Sequence, residues 1–165
     1  MTLIDLRRLS CRELAQYRAN LARANRSADA RVRAAAGHER ERIAALSDEA
    51  LIEIQFRDEL STSEKRLVEV VDLAPGSTSA QLTRALGWKA QSWHLHFGTM
   101  CRQRLAPLIE PPPAWRRPRP DGTPGDFYSG ILCQYDERTG GFRLHQAARA
   151  ALVAAEVLPA AAPVT

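Results

Sequence analysis

Proline divides this chain into two unequal parts. All ten prolines lie at or beyond Pro75, and six fall between Pro111 and Pro124. The proline ring fixes φ and removes a backbone donor, so it is kept out of helix interiors. Residues 1–74 hold no proline and one glycine, Gly37, so long helices are open to them. The remainder must alternate short helices, turns and extended segments. The expected organisation is an N-terminal helical arm over 1–60, a domain over 61–158 with a proline-rich connector at 111–126, and a loose tail at 159–165.

Capping signals place the helices. Ser10 and Glu13 form a capping box before Leu14, Tyr17, Leu21, Ala24 and Ala28, which recur at helical spacing. Gly37 ends or bends that helix, a second covers about 38–46, and Ser47 caps a third. The first stripe is narrow and alanine-rich, so this helix needs a partner. That partner is either its neighbour in a hairpin or the same helix of a second chain, with a homodimer slightly favoured. Ser61 and Glu64 form a second capping box, before Leu67, Val68 and Val71. Pro75-Gly76 stop that helix.

The next stretch carries the functional expectation. Thr78 and Gln81 cap a short helix with Leu82 and Leu86. Gly87 stands where a helix end needs a left-handed residue. A longer helix covers about Ala90 to Leu105, and Pro107 ends it. Three consecutive helices with a glycine turn between the last two describe a helix-turn-helix, which presents its last helix to the DNA major groove. Residues 127–135 then read as a strand, 136–141 as a turn, 142–144 as a return strand and about 145–157 as a helix. The strand pair would be a wing. The fold class expected is mainly α with a small β-hairpin: an N-terminal helical arm or hairpin followed by a winged helix-turn-helix.

The last helix of the motif splits by face. Trp93, Phe97, Met100, Cys101 and Leu105 pack inward, whereas Ser92, His96, Thr99 and Gln103 share an outer face, with Lys89 and Gln91 at its N-terminal end. Glutamine can bond adenine at two points, lysine suits guanine, and serine and threonine adapt. Gly98, in mid-helix, implies close approach by another helix or a backbone.

Charge supports that assignment. Of 23 cationic residues only Lys65 and Lys89 are lysine. Between Ala74 and Pro120 lie seven cations against Glu110 alone, a local +6 in a chain of net +4, so the remainder is net −2. Arg102, Arg104, Arg116, Arg117 and Arg119 suit phosphates, where charge positions a protein without reading sequence. A solvated arginine-rich surface is the plainer alternative.

Little points to an enzyme. His94 and His96 are two apart and, with Cys101, make no recognised metal spacing. Hydrolase, phosphate-loop and zinc-protease signatures are missing, and carboxylates do not assemble into a nuclease site. No cofactor, metal or catalytic residue is expected. The composition, 45% hydrophobic and 25% charged, is that of a folded domain. No run of 18 apolar residues is present, and Met1–Arg8 lacks an apolar signal core. Cys11, Cys101 and Cys133 read as reduced, buried thiols. These features together lead to the expectation of a cytoplasmic protein with no membrane contact.

The stretch from Thr78 through Leu86-Gly87-Trp88-Lys89, continuing through Trp93-His94-Leu95-His96-Phe97-Gly98, resembles winged-helix modules that accompany bacterial restriction-type and defence endonucleases. The resemblance covers about 62–155 and departs from those proteins in carrying no nuclease domain. It implies double-stranded DNA binding, in some members with attention to modified bases. Lys89, Gln91, Ser92, His96 and Thr99 would be the DNA face. Trp88, Trp93 and Trp115 are then either stacking surfaces for an extruded base or core anchors. The expected function is a non-enzymatic DNA reader, either a transcriptional regulator or a defence component. The alternative is a protein-binding adaptor or inhibitor of phage or mobile-element type that docks on a host nucleic-acid machine.

Overall fold

The computed structural model describes residues 9, 11–89, 92–114, 122 and 125–160. The chain is mainly helical, with a small antiparallel sheet. Its helices are α1 (Cys11–Ala24), α2 (Ala30–Ala44), α3 (Asp48–Arg57), α4 (Thr62–Leu73), α5 (Ser79–Ala85), α6 (Trp93–Arg104) and α7 (Gln146–Ala154). Strands β1 (Ser77–Thr78), β4 (Cys133–Asp136) and β5 (Gly141–Leu144) form one sheet in the order β1-β5-β4. Strands β2 (Pro113–Ala114) and β3 (Gly125–Asp126) pair separately. No helix among the described residues is long and apolar enough to cross a membrane.

The N-terminal helices depart from the sequence reading. The break falls at 25–29, and α2 runs through Gly37. Local hydrogen bonds decide this. The Asp29 carboxylate accepts from the backbone N–H groups of Arg31 and Val32, and Ser27 Oγ accepts from Asp29 N–H. The Arg33 guanidinium donates to the Ser27 and Ala28 carbonyls at 2.7 and 2.8 Å. A capped start outweighs one interior glycine, which costs about 1 kcal/mol. The expected Ser10 cap lies outside the described residues. The apolar stripe of α1 is covered within the chain: Leu14 and Leu21 are buried, as are Ala36 and Ile43 of α2. Tyr17 Oη donates to Glu39 at 3.0 Å, and Arg42 clamps the same carboxylate.

Ser47 caps α3, and complete capping boxes open α4 (Ser61, Glu64) and α5 (Thr78, Gln81), as their sequences require. Helix α3 packs on α7 from the far end of the chain. Arg149 on α7 grips the buried Asp72 of α4 at 2.8 and 3.2 Å. Leu51, Ile54 and Phe56 thereby join the core that holds Val68, Leu82, Trp93 and Leu152.

Two further differences concern β structure. Strand β1, not foreseen, extends the β4–β5 hairpin to three strands, with Ser77 opposite Phe142 and Thr78 opposite Gly141. The expected strand over 127–135 is shorter. Tyr128–Ile131 form a 3-10 turn, and the strand begins at Cys133. The turn docks on α6, where a Cβ at Gly98 would lie 3.2 Å from Ser129 Oγ. That contact supplies the close approach expected at Gly98. Cys101 and Cys133 are buried free thiols, and burial pushes both thiols up from their ordinary value.

Candidate nucleic-acid interface

Helix α6 is held from three sides. Its inner face is completely withdrawn from solvent: Trp93, Phe97, Cys101 and Leu105 are each at 0% exposure. The Trp93 indole N–H donates to the Leu67 carbonyl of α4 at 3.0 Å, and its ring stacks on Phe97 at 4.5 Å. Trp93 is therefore a core anchor. A buried indole normally finds such a partner, which also fixes its orientation.

The start of α6 is set by α5 rather than by its own cap. Helix α6 runs from Trp93, and Gly87 turns the chain before it with φ +73°, while Ala90 and Gln91 lie outside the described residues. Ser92 makes no side-chain cap. Instead Thr83 Oγ1 accepts from the Trp93 N–H at 2.9 Å and donates to the Ser79 carbonyl at 2.7 Å. Ser79 Oγ accepts from the His94 N–H at 3.3 Å. Orphan N–H groups at a helix start need partners. Taking them from α5 locks the crossing of the two helices.

The sequence-predicted site residues now separate. Lys89 is exposed in the turn that leads to α6, not on the helix. Ser92 is half-buried, with its hydroxyl 2.8 Å from His94 Nδ1, and Ser79 Oγ is 3.0 Å from the same nitrogen. His96 is exposed and meets the half-buried Trp88 edge-on at 5.1 Å. Thr99 and Arg102 are exposed, one helical turn apart. Gln91, Arg116, Arg117, Arg119 and the ring of Trp115 lie outside the described residues.

Arg104 requires a correction, because it is not available to a phosphate. Its guanidinium donates to both Glu64 oxygens at 2.8 and 3.0 Å and to the Gln55 and Glu59 carbonyls at 3.2 and 3.3 Å. It also lies 5.8 Å from the centre of the Phe56 ring. It ties the end of α6 to α3 and α4. The guanidinium holds the Glu64 carboxyl at about 2, with backbone and hydroxyl bonds from Ser61 acting in the same direction.

A groove of about 750 Å³ opens beside the exposed face of α6. One wall is α6, through Leu95, Thr99 and Arg102. The others come from Phe127, Tyr128 and Tyr135. The sequence pattern assigns Phe127, Tyr128 and Tyr135 to a strand. Their convergence depends on the 3-10 turn and on the β2–β3 pair, which no local pattern signals.

No family model, curated protein or solved structure matches the chain. The chemistry of the α6 surface therefore rests on its own residues. Among the described residues, no group of three or more histidine, cysteine, aspartate or glutamate side chains is placed to hold a metal ion. The exposed side of α6 offers His96, Thr99, Arg102 and Gln103 beside the apolar Leu95, with Lys89 in the bend that precedes the helix, while the opposite face of α6 is locked.

Proposed function

We propose that this protein binds duplex DNA through a winged helix-turn-helix, without catalysing a reaction itself. The observation that carries the reading is the order α4-β1-α5-α6-β4-β5, with the β2–β3 pair and the 3-10 turn inserted after α6, strands arranged β1-β5-β4 and α6 exposed on one side only. A winged helix-turn-helix needs a helix presented outward beside a hairpin, and this arrangement supports that assignment. A helix that enters a groove must hold its angle under load. The Thr83, Ser79 and Trp93 hydrogen bonds provide that rigidity.

On this reading His96, Thr99 and Gln103 meet base edges, while Lys89 and Arg102 lie toward phosphates. Arg116, Arg117 and Arg119 of the connector belong with the phosphate contacts by composition. The local +6 charge between Ala74 and Pro120 adds salt-dependent attraction. Transcriptional regulation and a defence role both fit such a reader.

The test is a fluorescence-anisotropy titration with labelled random duplexes, plain and methylated on adenine or cytosine, at two salt concentrations. Binding should weaken steeply as salt rises. Failure to bind any duplex at low salt would sink the DNA reading and leave the same face as a protein-docking surface.

A further inference from the structure

We propose that the groove between α6 and the β4–β5 hairpin binds a planar aromatic anion, and that this ligand and duplex DNA compete for α6. The first half stands on the groove alone. The competition rests on the DNA reading above.

The groove has the size and lining of a small-molecule site. Its volume of about 750 Å³ falls within the range of roughly 300–1,000 Å³ typical of ligand pockets. Its aromatic wall is continuous: Tyr135 meets Phe127 edge-on at 6.4 Å and Phe142 at 4.9 Å. Across from it, Leu95 is 60% exposed although it faces an apolar recess. A flat ring between these walls would cover Leu95 and meet the aromatic rings in the edge or offset geometry they favour.

The charge comes from α6. Arg102 lines the groove and has no hydrogen bond or ion pair among the described residues. Its guanidinium fork matches a carboxylate or phosphate. The carboxylate on the β3 wall, Asp126, accepts the Tyr128 hydroxyl at 3.0 Å, which leaves the α6 side as the anion's end. Thr99 and Arg102 belong both to the groove and to the proposed DNA face. An occupied groove therefore removes an arginine from the phosphates and places a negative charge there instead.

The ligand could be an aryl carboxylate or a mononucleotide, which share a flat ring and an anionic group. Calorimetric titration of the full chain with 1-naphthoate, with neutral 1-naphthamide and with 5′-dAMP separates them. One of the two anions should bind. Naphthoate, if it is the one, should bind about tenfold more tightly than naphthamide, as one charge-assisted contact implies. Arg102→Gln should erase the preference for the anion, and Leu95→Glu should abolish binding. Both residues are exposed, so the melting temperature should not move. No binding of either anion, or binding that survives both substitutions, overturns the site. If the duplex binds and saturating anion leaves its affinity unchanged, the competition is overturned. If no duplex binds at any salt, the DNA reading fails, while the direct titration still decides the groove.

Discussion

The α1–α2 pair and the α4–α6 unit are both assembled from capped helices, but different forces hold them. In α4–α6 the contacts are large and aimed. Val68, Val71, Leu82, Trp93 and Phe97 are fully buried, Trp93 donates to the Leu67 carbonyl of α4 and to Thr83 Oγ1 of α5, and Arg66 of α4 donates to the Leu86 carbonyl at the end of α5. In α1–α2 the buried strip is thin, and its directional element is the Tyr17–Glu39–Arg42 network. Burial sets how much stability an element has, whereas hydrogen bonds between elements set how narrowly its geometry is defined. On the proposed DNA reading the α6 face needs both, since its exposed residues would act only at a fixed angle. The first pair needs only to cover its stripe, and it should open first in hydrogen exchange.

The largest test of that contrast is paired truncation. Trp93→Ala should cost about 3–5 kcal/mol, because it empties a fully buried site and removes the indole bond to the Leu67 carbonyl. Leu21→Ala in α1 should cost about 2 kcal/mol, since the thin strip can relax around the gap. Denaturant midpoints measure both. Equal losses would show that the two regions are packed alike.

Arg104→Gln is next, at about 2 kcal/mol for a multiply bonded guanidinium. It carries a pH signature. The Glu64 carboxyl sits at about 2 in the fold against an ordinary 4.5. A lowered folded value stabilises above the unfolded value, so this contribution is present above about pH 4.5 and is lost as pH falls toward 2. In Arg104→Gln the acid-induced loss over that interval should be smaller than in wild type. Identical acid profiles would remove the Arg104–Glu64 pair from the account of stability.

The smallest effect is Asp29→Ala, which removes the α2 cap at a cost of about 1 kcal/mol. It should speed amide exchange in α1 and α2 and leave α6 untouched. Faster exchange in α6 would mean that the two regions unfold as one.

Much of this architecture could be read from the chain, because its signals are local. Ser47, Ser61 and Thr78 announce helix starts through hydrogen bonds to residues three positions away. Gly87 announces a turn through its φ, and the spacing of Trp93, Phe97 and Cys101 gives the buried face of α6. The features that escaped depend on distant partners. Two-residue β1 exists because β5 is beside it. The Tyr128–Ile131 turn packs against α6 at Gly98, where a Cβ would lie 3.2 Å from Ser129 Oγ, a contact between distant parts of the chain. Arg104 differs from Arg102 by two positions, yet one is an internal clamp and the other faces solvent. Composition counts them alike, and only the location of Glu64 separates them.

That pair of arginines offers the most direct test of the proposed DNA interface. Duplex affinity at two salt concentrations should be measured for wild type, Arg102→Gln and Arg104→Gln, with thermal melts alongside. Arg102→Gln should weaken binding, reduce the salt slope by about one and leave the melting temperature in place. Arg104→Gln should lower the melting temperature and, below it, keep the wild-type slope. If Arg102→Gln binds as wild type does, or if wild type binds no duplex at low salt, the exposed face of α6 is not a DNA interface.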